Sequence, residues 1–170
     1  LLDRSGSMEE GGRWPESLNA VNAYVKKLAD DNVDTGVTLA IFDKHEGEFD
    51  YQVIRDRIIP ATWHPVTSAE ASPRGWTPLN DAIGRMVAQA EAGFNGTPYD
   101  KVAIIIVTDG AENSSREVTT LGAKMLLDKC RARNWQVIFL GADYNNTAQA
   151  SSYGNAMAAT ADASVKNLRM

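Results

Sequence analysis

Three separated segments carry oxygen-bearing side chains whose types and spacing suit a divalent cation. The first, Asp3-Arg4-Ser5-Gly6-Ser7, places one carboxylate and two hydroxyls at alternate positions directly after an apolar pair. Gly6 between the serines permits a tight backbone, which would let both hydroxyls face one point. The alternative for this segment alone is a polar turn whose Asp and Ser side chains bind their own backbone.

The other two segments add a hydroxyl and a second carboxylate. Thr77 precedes Pro78 at the start of a predicted helix, where by itself it would serve as a helix N-cap. Asp109 follows the apolar run at 102–107, and an acid at the end of a buried strand needs a partner for its charge. A metal ion is one such partner. The alternative is that Asp109 caps the helix or turn that follows it.

The elements that must position these residues are predicted from the apolar pattern. Apolar runs bounded by turn residues alternate with helical periodicity, which is typical of an α/β fold with a doubly wound, mostly parallel sheet flanked by helices. A short polar link containing Gly47 predicts one antiparallel edge hairpin. The predicted helices are 15–30, 79–92 and 118–134, and the predicted strands are 37–42, 51–54, a central strand at 102–107 buried on both faces, an inner strand at 137–140 and a weak edge strand at 156–159.

In an open parallel sheet, the loops that leave the carboxyl ends of strands gather at one edge, and ligands bind where the strand order reverses. We expect the loops that begin at Asp3, after Ser72 and at Asp109 to be of this kind. Hard oxygen ligands suit Mg²⁺, which takes six of them and keeps some waters. Two carboxylates would offset its double positive charge.

Taken together, the three segments resemble the metal-ion-dependent adhesion site of von Willebrand factor A domains. That site consists of Asp-x-Ser-x-Ser after a first strand, Thr-Pro-Leu at a helix start in mid-chain, and an apolar strand ending in Thr-Asp-Gly. The resemblance spans nearly the whole chain and implies a single domain at 1–170 with the family's Rossmann-like fold. No motif position is substituted, and the implied metal ligands are Asp3, Ser5, Ser7, Thr77 and Asp109.

The resemblance implies a binding module and not an enzyme. Its cofactor would be Mg²⁺, with Mn²⁺ or Ca²⁺ as other candidates, and its partner a protein that presents an Asp or Glu to the ion. Arg13, Trp14, Trp76, Glu112 and Asn113 lie near the expected site, where they either contact a partner or serve ordinary packing and solvation. His45 and His64 are predicted to be surface residues.

An enzyme is the alternative function. Asp3 and Asp109 with Mg²⁺ could serve a metal-dependent hydrolase or a phosphoryl-transfer enzyme, which would also need a nucleophile and a base. A phosphatase of the haloacid dehalogenase type would want a second Asp where Ser5 stands. The chain contains neither the Gly-x-Ser-x-Gly of serine hydrolases nor the glycine-rich phosphate loops of nucleotide-binding enzymes.

Composition restricts the classes of partner. The chain has 170 residues with a formal net charge of -5 and no Lys/Arg cluster, which argues against nucleic acid or an anionic membrane as the main partner. No apolar stretch approaches the roughly 20 residues of a membrane-spanning helix. The single cysteine, Cys130, excludes an internal disulfide and is expected to be a small buried hydrophobe. Oligomeric state stays open.

The start of the chain, Leu1-Leu2-Asp3, looks like the end of a strand whose beginning is missing. We therefore expect a fragment of a longer protein. The single cysteine and the absence of a leader favour a cytoplasmic location, and an extracellular one stays open for a truncated chain.

Overall fold

The computed structural model describes residues 1–95, 101–109, 111–141 and 153. These residues form an α/β fold in which helices flank a five-stranded mixed sheet. The strands are β1 (Leu2–Asp3), β2 (Val37–His45), β3 (Glu48–Ile58), β4 (Ala103–Val107) and β5 (Gln136–Leu140), and the helices are α1 (Arg13–Asp30), α2 (Leu79–Gly93) and α3 (Thr120–Ala132). Short 3-10 helices lie at Gly6–Gly12 and Pro60–Thr62.

The strand order is β3-β2-β1-β4-β5, and every neighbouring pair is parallel except the antiparallel pair of β2 and β3. The predicted α/β class, the mostly parallel sheet and the antiparallel edge hairpin are thus confirmed. The hairpin is longer than predicted because backbone pairing continues to His45 and Glu48, beyond the apolar part of either strand. β5 is the other edge of the described sheet, and the strand predicted at 156–159 lies outside the described residues.

Both faces of the sheet are covered by helices. Neighbouring residues of a strand point to opposite faces, and Ile41 and Phe42 of β2 are both fully buried. Ile41 belongs to a core cluster with Trp14 and Leu18 of α1, whereas Phe42 belongs to a second cluster with residues of α2 and α3. All three predicted helices are confirmed, with ends that differ by no more than two residues.

The burial of β4 differs from the prediction. Ile104 and Ile106 are buried, whereas Ile105 and Val107 are only half-buried, so one face of this strand is less enclosed than its uniform apolar sequence suggested. β4 is an inner strand as predicted, and β1 occupies the middle of the described sheet. Cys130 of α3 is fully buried in the core, as expected for a small hydrophobe. None of the described helices combines the length and hydropathy needed to cross a membrane.

The two connections that leave the middle of the sheet run in opposite directions. β1 leads through α1 to β2, and β4 leads through α3 to β5 on the other side. The order therefore reverses between β1 and β4, where loops at the carboxyl ends diverge and leave a crevice. Leu2 is in register with Val107, so the next residues, Asp3 and Thr108, lie side by side at the carboxyl ends of β1 and β4.

Candidate metal centre

Asp3 is held on both of its carboxylate oxygens at the end of β1. Its Oδ1 accepts a hydrogen bond from the Ser5 backbone N at 2.7 Å, and its Oδ2 accepts one from Thr108 Oγ1, also at 2.7 Å. The first bond is the local turn contact that was the alternative for this segment. The second crosses from β1 to β4 and fixes the carboxylate between the two loops.

The two serines converge and connect this loop to Asp109. Ser5 Oγ lies 3.2 Å from Ser7 Oγ, and Ser7 Oγ donates to Asp109 Oδ1 at 2.9 Å. Asp109 has a fully buried side chain. Four of the five predicted ligands, Asp3, Ser5, Ser7 and Asp109, are therefore brought together by a continuous series of short contacts.

Arg13 supplies a positive charge to this cluster. Its Nη1 donates to Asp109 Oδ2 at 3.0 Å and to the Ser7 carbonyl oxygen at 3.2 Å. The sequence suggested only that Arg13 lies near the site. The structure pairs its guanidinium with Asp109. From the sequence, Asp109 was expected either to have a metal ion as its charge partner or to cap the helix or turn that follows it.

The segment that carries Thr77 follows a different path from the one predicted. The segment 72–77 does not leave the carboxyl end of a strand, because β3 ends at Ile58 and runs antiparallel to β2. The chain instead returns across the molecule and meets the end of β2, where the backbones of Trp76 and Lys44 exchange hydrogen bonds of 2.9 and 3.0 Å. Because β3 is antiparallel to the other strands, it ends at the end of the sheet where those strands begin. The chain must therefore return along the sheet to reach the carboxyl end of β2.

Backbone contacts hold the Thr77 segment against the first loop. Gly6 N donates to Gly75 O at 3.1 Å, and Arg74 N donates to Arg4 O at 2.7 Å. Gly75 has a φ of +67°, and a β-carbon there would collide with the Lys44 carbonyl, so only glycine fits. Within the described residues, no hydrogen bond joins the Thr77 hydroxyl to the other four predicted ligands.

Thr77 is not the N-cap of α2, so that interpretation is wrong. The capping position is Pro78, which provides no side-chain cap. The loop after β4 caps the helix instead: Glu112 Oε2 accepts from Asn80 N at 2.8 Å, and Ser115 Oγ accepts from Asp81 N at 3.1 Å. The Thr77 hydroxyl is therefore not used by the helix that follows it.

The same loop fixes the Thr77 backbone. Asn113 Oδ1 accepts from Thr77 N at 3.0 Å, and Asn113 N donates to Thr77 O at 3.2 Å. A further contact joins α2 to the same loop, because the Asp81 carboxylate accepts hydrogen bonds from the backbone N–H groups of 116–118. Glu112 and Asn113, which the sequence placed near the site, thus support the Thr77 segment.

A second charged cluster, which the sequence did not reveal, lies beside the first loop. Arg4 binds Asp43 through Nε at 3.0 Å and Asp50 through Nη2 at 2.6 Å. Arg74 binds the same two carboxylates at 2.8 and 2.6 Å. This ion-pair cluster of two arginines and two aspartates ties the first loop and the Thr77 segment to the β2–β3 hairpin. The only sequence signal was a charged residue, Arg4, inside the first motif.

The electrostatics of Asp3 differ from those of Asp109. Burial raises the pKa of the Asp3 carboxyl to about 6, although hydrogen bonds from Thr108 and Ser5 act to lower it. No cationic side chain among the described residues forms an ion pair with Asp3. A desolvated carboxylate is costly unless a cation or a proton compensates it.

The donor set fits a hard cation. Carboxylate and hydroxyl oxygens suit Mg²⁺, Mn²⁺ or Ca²⁺, whereas Zn²⁺ prefers thiolate and imidazole. The part of the chain that the structure describes holds no group of three or more His, Cys, Asp or Glu suited to a metal ion. The predicted set contains only two residues of those types, Asp3 and Asp109, and completes its ligands with hydroxyls.

The remaining aromatic and histidine predictions are settled by burial. Trp14 is 3% exposed and donates from Nε1 to the Ala71 carbonyl at 3.2 Å, so it is a core residue and not a partner contact. Trp76 is 64% exposed directly beside Thr77. His45 and His64 are exposed, as predicted.

The chain matches no protein-family model and no curated protein. The resemblance to von Willebrand factor A domains therefore rests on the three sequence motifs.

Proposed function

We propose that this chain is a von Willebrand factor A-type domain that binds a Mg²⁺-type ion and, through it, an acidic protein partner. The observation that carries the proposal is the state of Asp3: a fully buried carboxylate in a hydrogen-bonded series of oxygen ligands, with no cationic side chain of the described residues paired to it. Natural proteins seldom bury an uncompensated charge without a functional reason.

Each proposed ligand has a distinct part. Asp3 and Asp109 supply negative charge, and the hydroxyls of Ser5, Ser7 and Thr77 supply neutral oxygens that add no further charge. Thr77 is available for this part because Glu112 and Ser115 cap α2 in its place. A bound ion of this kind supplies an electrophilic coordination position that a carboxylate from outside can fill.

We favour binding over phosphoryl transfer because of the residue at position 5. A phosphatase of the haloacid dehalogenase type would want a second carboxylate where Ser5 stands, and the Ser5 hydroxyl instead lies 3.2 Å from that of Ser7. A metal-dependent hydrolase or phosphoryl-transfer enzyme remains the alternative that the experiments below must exclude.

The first test is calorimetric titration of chelator-stripped protein with Mg²⁺ and Mn²⁺. We expect one site in the wild type and at least a hundredfold loss of affinity in Asp3→Asn, because a divalent ion would lose one of its two charged ligands. Asp56→Asn is the matched control, since Asp56 is an exposed carboxylate on β3. Absence of metal binding in the wild type would contradict the proposal.

The second test offers the Mg²⁺-loaded protein a short peptide with one Asp between glycines, followed by NMR shifts. We expect saturable binding that chelator abolishes. Equal binding in chelator would contradict the metal bridge. Turnover of a phosphoester substrate, lost in Asp3→Asn, would favour the enzyme instead.

A further inference from the structure

Trp76 differs from the other tryptophans of the chain in how its side chain is placed. Trp14 and Trp135 are buried. Trp63 is half-buried and donates from its indole N–H to Asn22 Oδ1 at 3.1 Å. Trp76 is 64% exposed, and within the described residues its indole makes neither a hydrogen bond nor a ring contact. Most of this indole is therefore not used to pack the fold.

The backbone that carries the Trp76 indole is nevertheless fixed on both sides. Trp76 and Lys44 exchange two backbone hydrogen bonds, and the next residue, Thr77, is bonded to Asn113 through its backbone N and O. Gly75 holds a φ of +67°, which other residues rarely adopt. An aromatic side chain with two torsions on a fixed backbone loses little conformational freedom when a partner covers it. Such a side chain is well suited to a binding contact.

Trp76 also stands directly next to the candidate metal centre. Thr77 is 2% exposed, so the chain passes from an exposed indole to a buried proposed ligand within one residue. Consecutive Cα atoms lie about 3.8 Å apart in any trans chain. A partner whose carboxylate reached the proposed ion would therefore bring the residues that flank its own Asp or Glu close to this indole.

The charges beside Trp76 favour an apolar side chain over a cationic one, although an indole can bind either. The proposed ion is positive. Lys44 is 8% exposed, donates from Nζ to the Ser114 carbonyl at 2.9 Å and forms no ion pair among the described residues. The carboxylates of the hairpin turn, Glu46 and Glu48, are exposed, so solvent weakens their attraction for a cation.

We infer that Trp76 sets the partner specificity of the site by binding an apolar side chain next to the acidic residue that reaches the ion. The inference rests on the proposed function. It divides recognition into two parts, in which the ion binds the carboxylate and the indole binds the neighbouring side chain. Tryptophans that a partner buries are often among the residues that contribute most to binding.

The experiment compares three peptides of equal length by NMR titration at saturating Mg²⁺. They are the single-Asp peptide and the same peptide with Leu, or with Lys, in place of the two glycines that flank Asp. Wild type should bind the Leu peptide about five- to tenfold more tightly than the single-Asp peptide, because apolar surface is removed from water against the indole. The Lys peptide should bind no more tightly than the single-Asp peptide.

Trp76→Ala should remove the preference for Leu. Its affinities for Mg²⁺, measured by calorimetry, and for the single-Asp peptide should stay within about twofold of wild type, because the backbone bonds remain. Trp76→Phe should keep part of the preference. The matched control is Ile59→Ala, since Ile59 is 63% exposed directly after β3, at the opposite end of the sheet.

The outcomes separate this inference from the proposed function. Equal affinities of the wild type for the Leu and single-Asp peptides, or a preference for Leu that persists in Trp76→Ala, would overturn the inference and leave the proposed function standing. Tightest binding of the Lys peptide would overturn it as well. A loss of Mg²⁺ affinity in Trp76→Ala would instead assign the indole to holding Thr77. Absence of Mg²⁺ binding by the wild type would overturn both.

Discussion

The ion-pair cluster and the candidate metal centre lie at the same edge of the sheet and begin at neighbouring residues, yet their charges are arranged differently. Arg4 and Arg74 face Asp43 and Asp50, so the ion-pair cluster balances two positive charges with two negative ones. The adjacent Asp3 is as buried as Asp43 but has no cationic side chain of the described residues paired with it.

This difference separates a structural part from a binding part. A balanced buried cluster can be complete in itself, and breaking it exposes a charge that nothing compensates. An unbalanced carboxylate is complete only when a proton or a cation arrives. The ion-pair cluster should therefore determine stability, and the candidate metal centre should determine what the protein binds.

The largest effect is expected from Asp43→Ala in the ion-pair cluster. Removal of this fully buried carboxylate leaves Arg4, which is 5% exposed, with one fewer counter-charge. The free energy of unfolding should fall by about 3–5 kcal/mol, as measured by urea denaturation of metal-free protein. In the control Asp30→Asn, at an exposed pair with Lys26, the loss should stay below about 0.5 kcal/mol. A similarly small loss for Asp43→Ala would mean that the ion-pair cluster does not determine stability, and the contrast with the candidate metal centre would fail.

The next effect concerns the pH dependence of Asp3. Its pKa in the folded protein is about 6, above the ordinary value of 3.8, so the folded state binds this proton more tightly than the unfolded state. Its contribution to stability is therefore complete below about pH 4 and is lost as the pH rises through about 6, a change of about 3 kcal/mol. Urea denaturation in metal-free buffer between pH 4 and 7 measures it.

Asp3→Asn is the comparison for that measurement, because it lacks the titrating group while leaving the other acids in place. The difference in free energy of unfolding between wild type and variant should change across this pH range. Adding Mg²⁺ at pH 7 should restore the stability that the wild type loses there. Parallel pH curves for the two proteins would show that Asp3 has an ordinary pKa.

A smaller effect is expected at Thr77. Thr77→Val keeps the shape of the side chain and removes the hydroxyl, so Mg²⁺ affinity should fall about tenfold, equivalent to about 1.4 kcal/mol. The free energy of unfolding should change by less than about 1 kcal/mol, because other residues cap α2. Thr77→Ser should retain metal binding. A loss of stability without loss of affinity would assign the hydroxyl to the fold.

The smallest effect is expected from Glu112→Gln. Its carboxylate accepts hydrogen bonds from Asn80 N and from the backbone at 114 and 115, so the neutral amide should weaken the cap of α2 by about 1 kcal/mol. Mg²⁺ affinity should fall only a few-fold, through displacement of Thr77. A loss of affinity as large as that of Thr77→Val would mean that Glu112 takes part in the site directly.

Local sequence patterns determined most of the fold. The three- and four-residue spacing of apolar side chains was enough for α1, α2 and α3, and the apolar runs located β2 to β5. The hairpin length, the exposure of one face of β4 and the route of 59–76 were not predicted, because they depend on which elements lie next to each other. The weak strand at 156–159 remains a prediction.

For the candidate site, the sequence by itself determined the residue types: an acid and two serines after β1, a threonine before α2 and an acid after β4. Only the tertiary structure decided their electrostatic partners. Thr108 reaches Asp3 from 105 positions away, Arg13 reaches Asp109 from 96, and Arg4 reaches Asp43 from 39. Periodicity reports neighbours within a turn or a strand, whereas charge compensation is set by which side chains the folded sheet brings together.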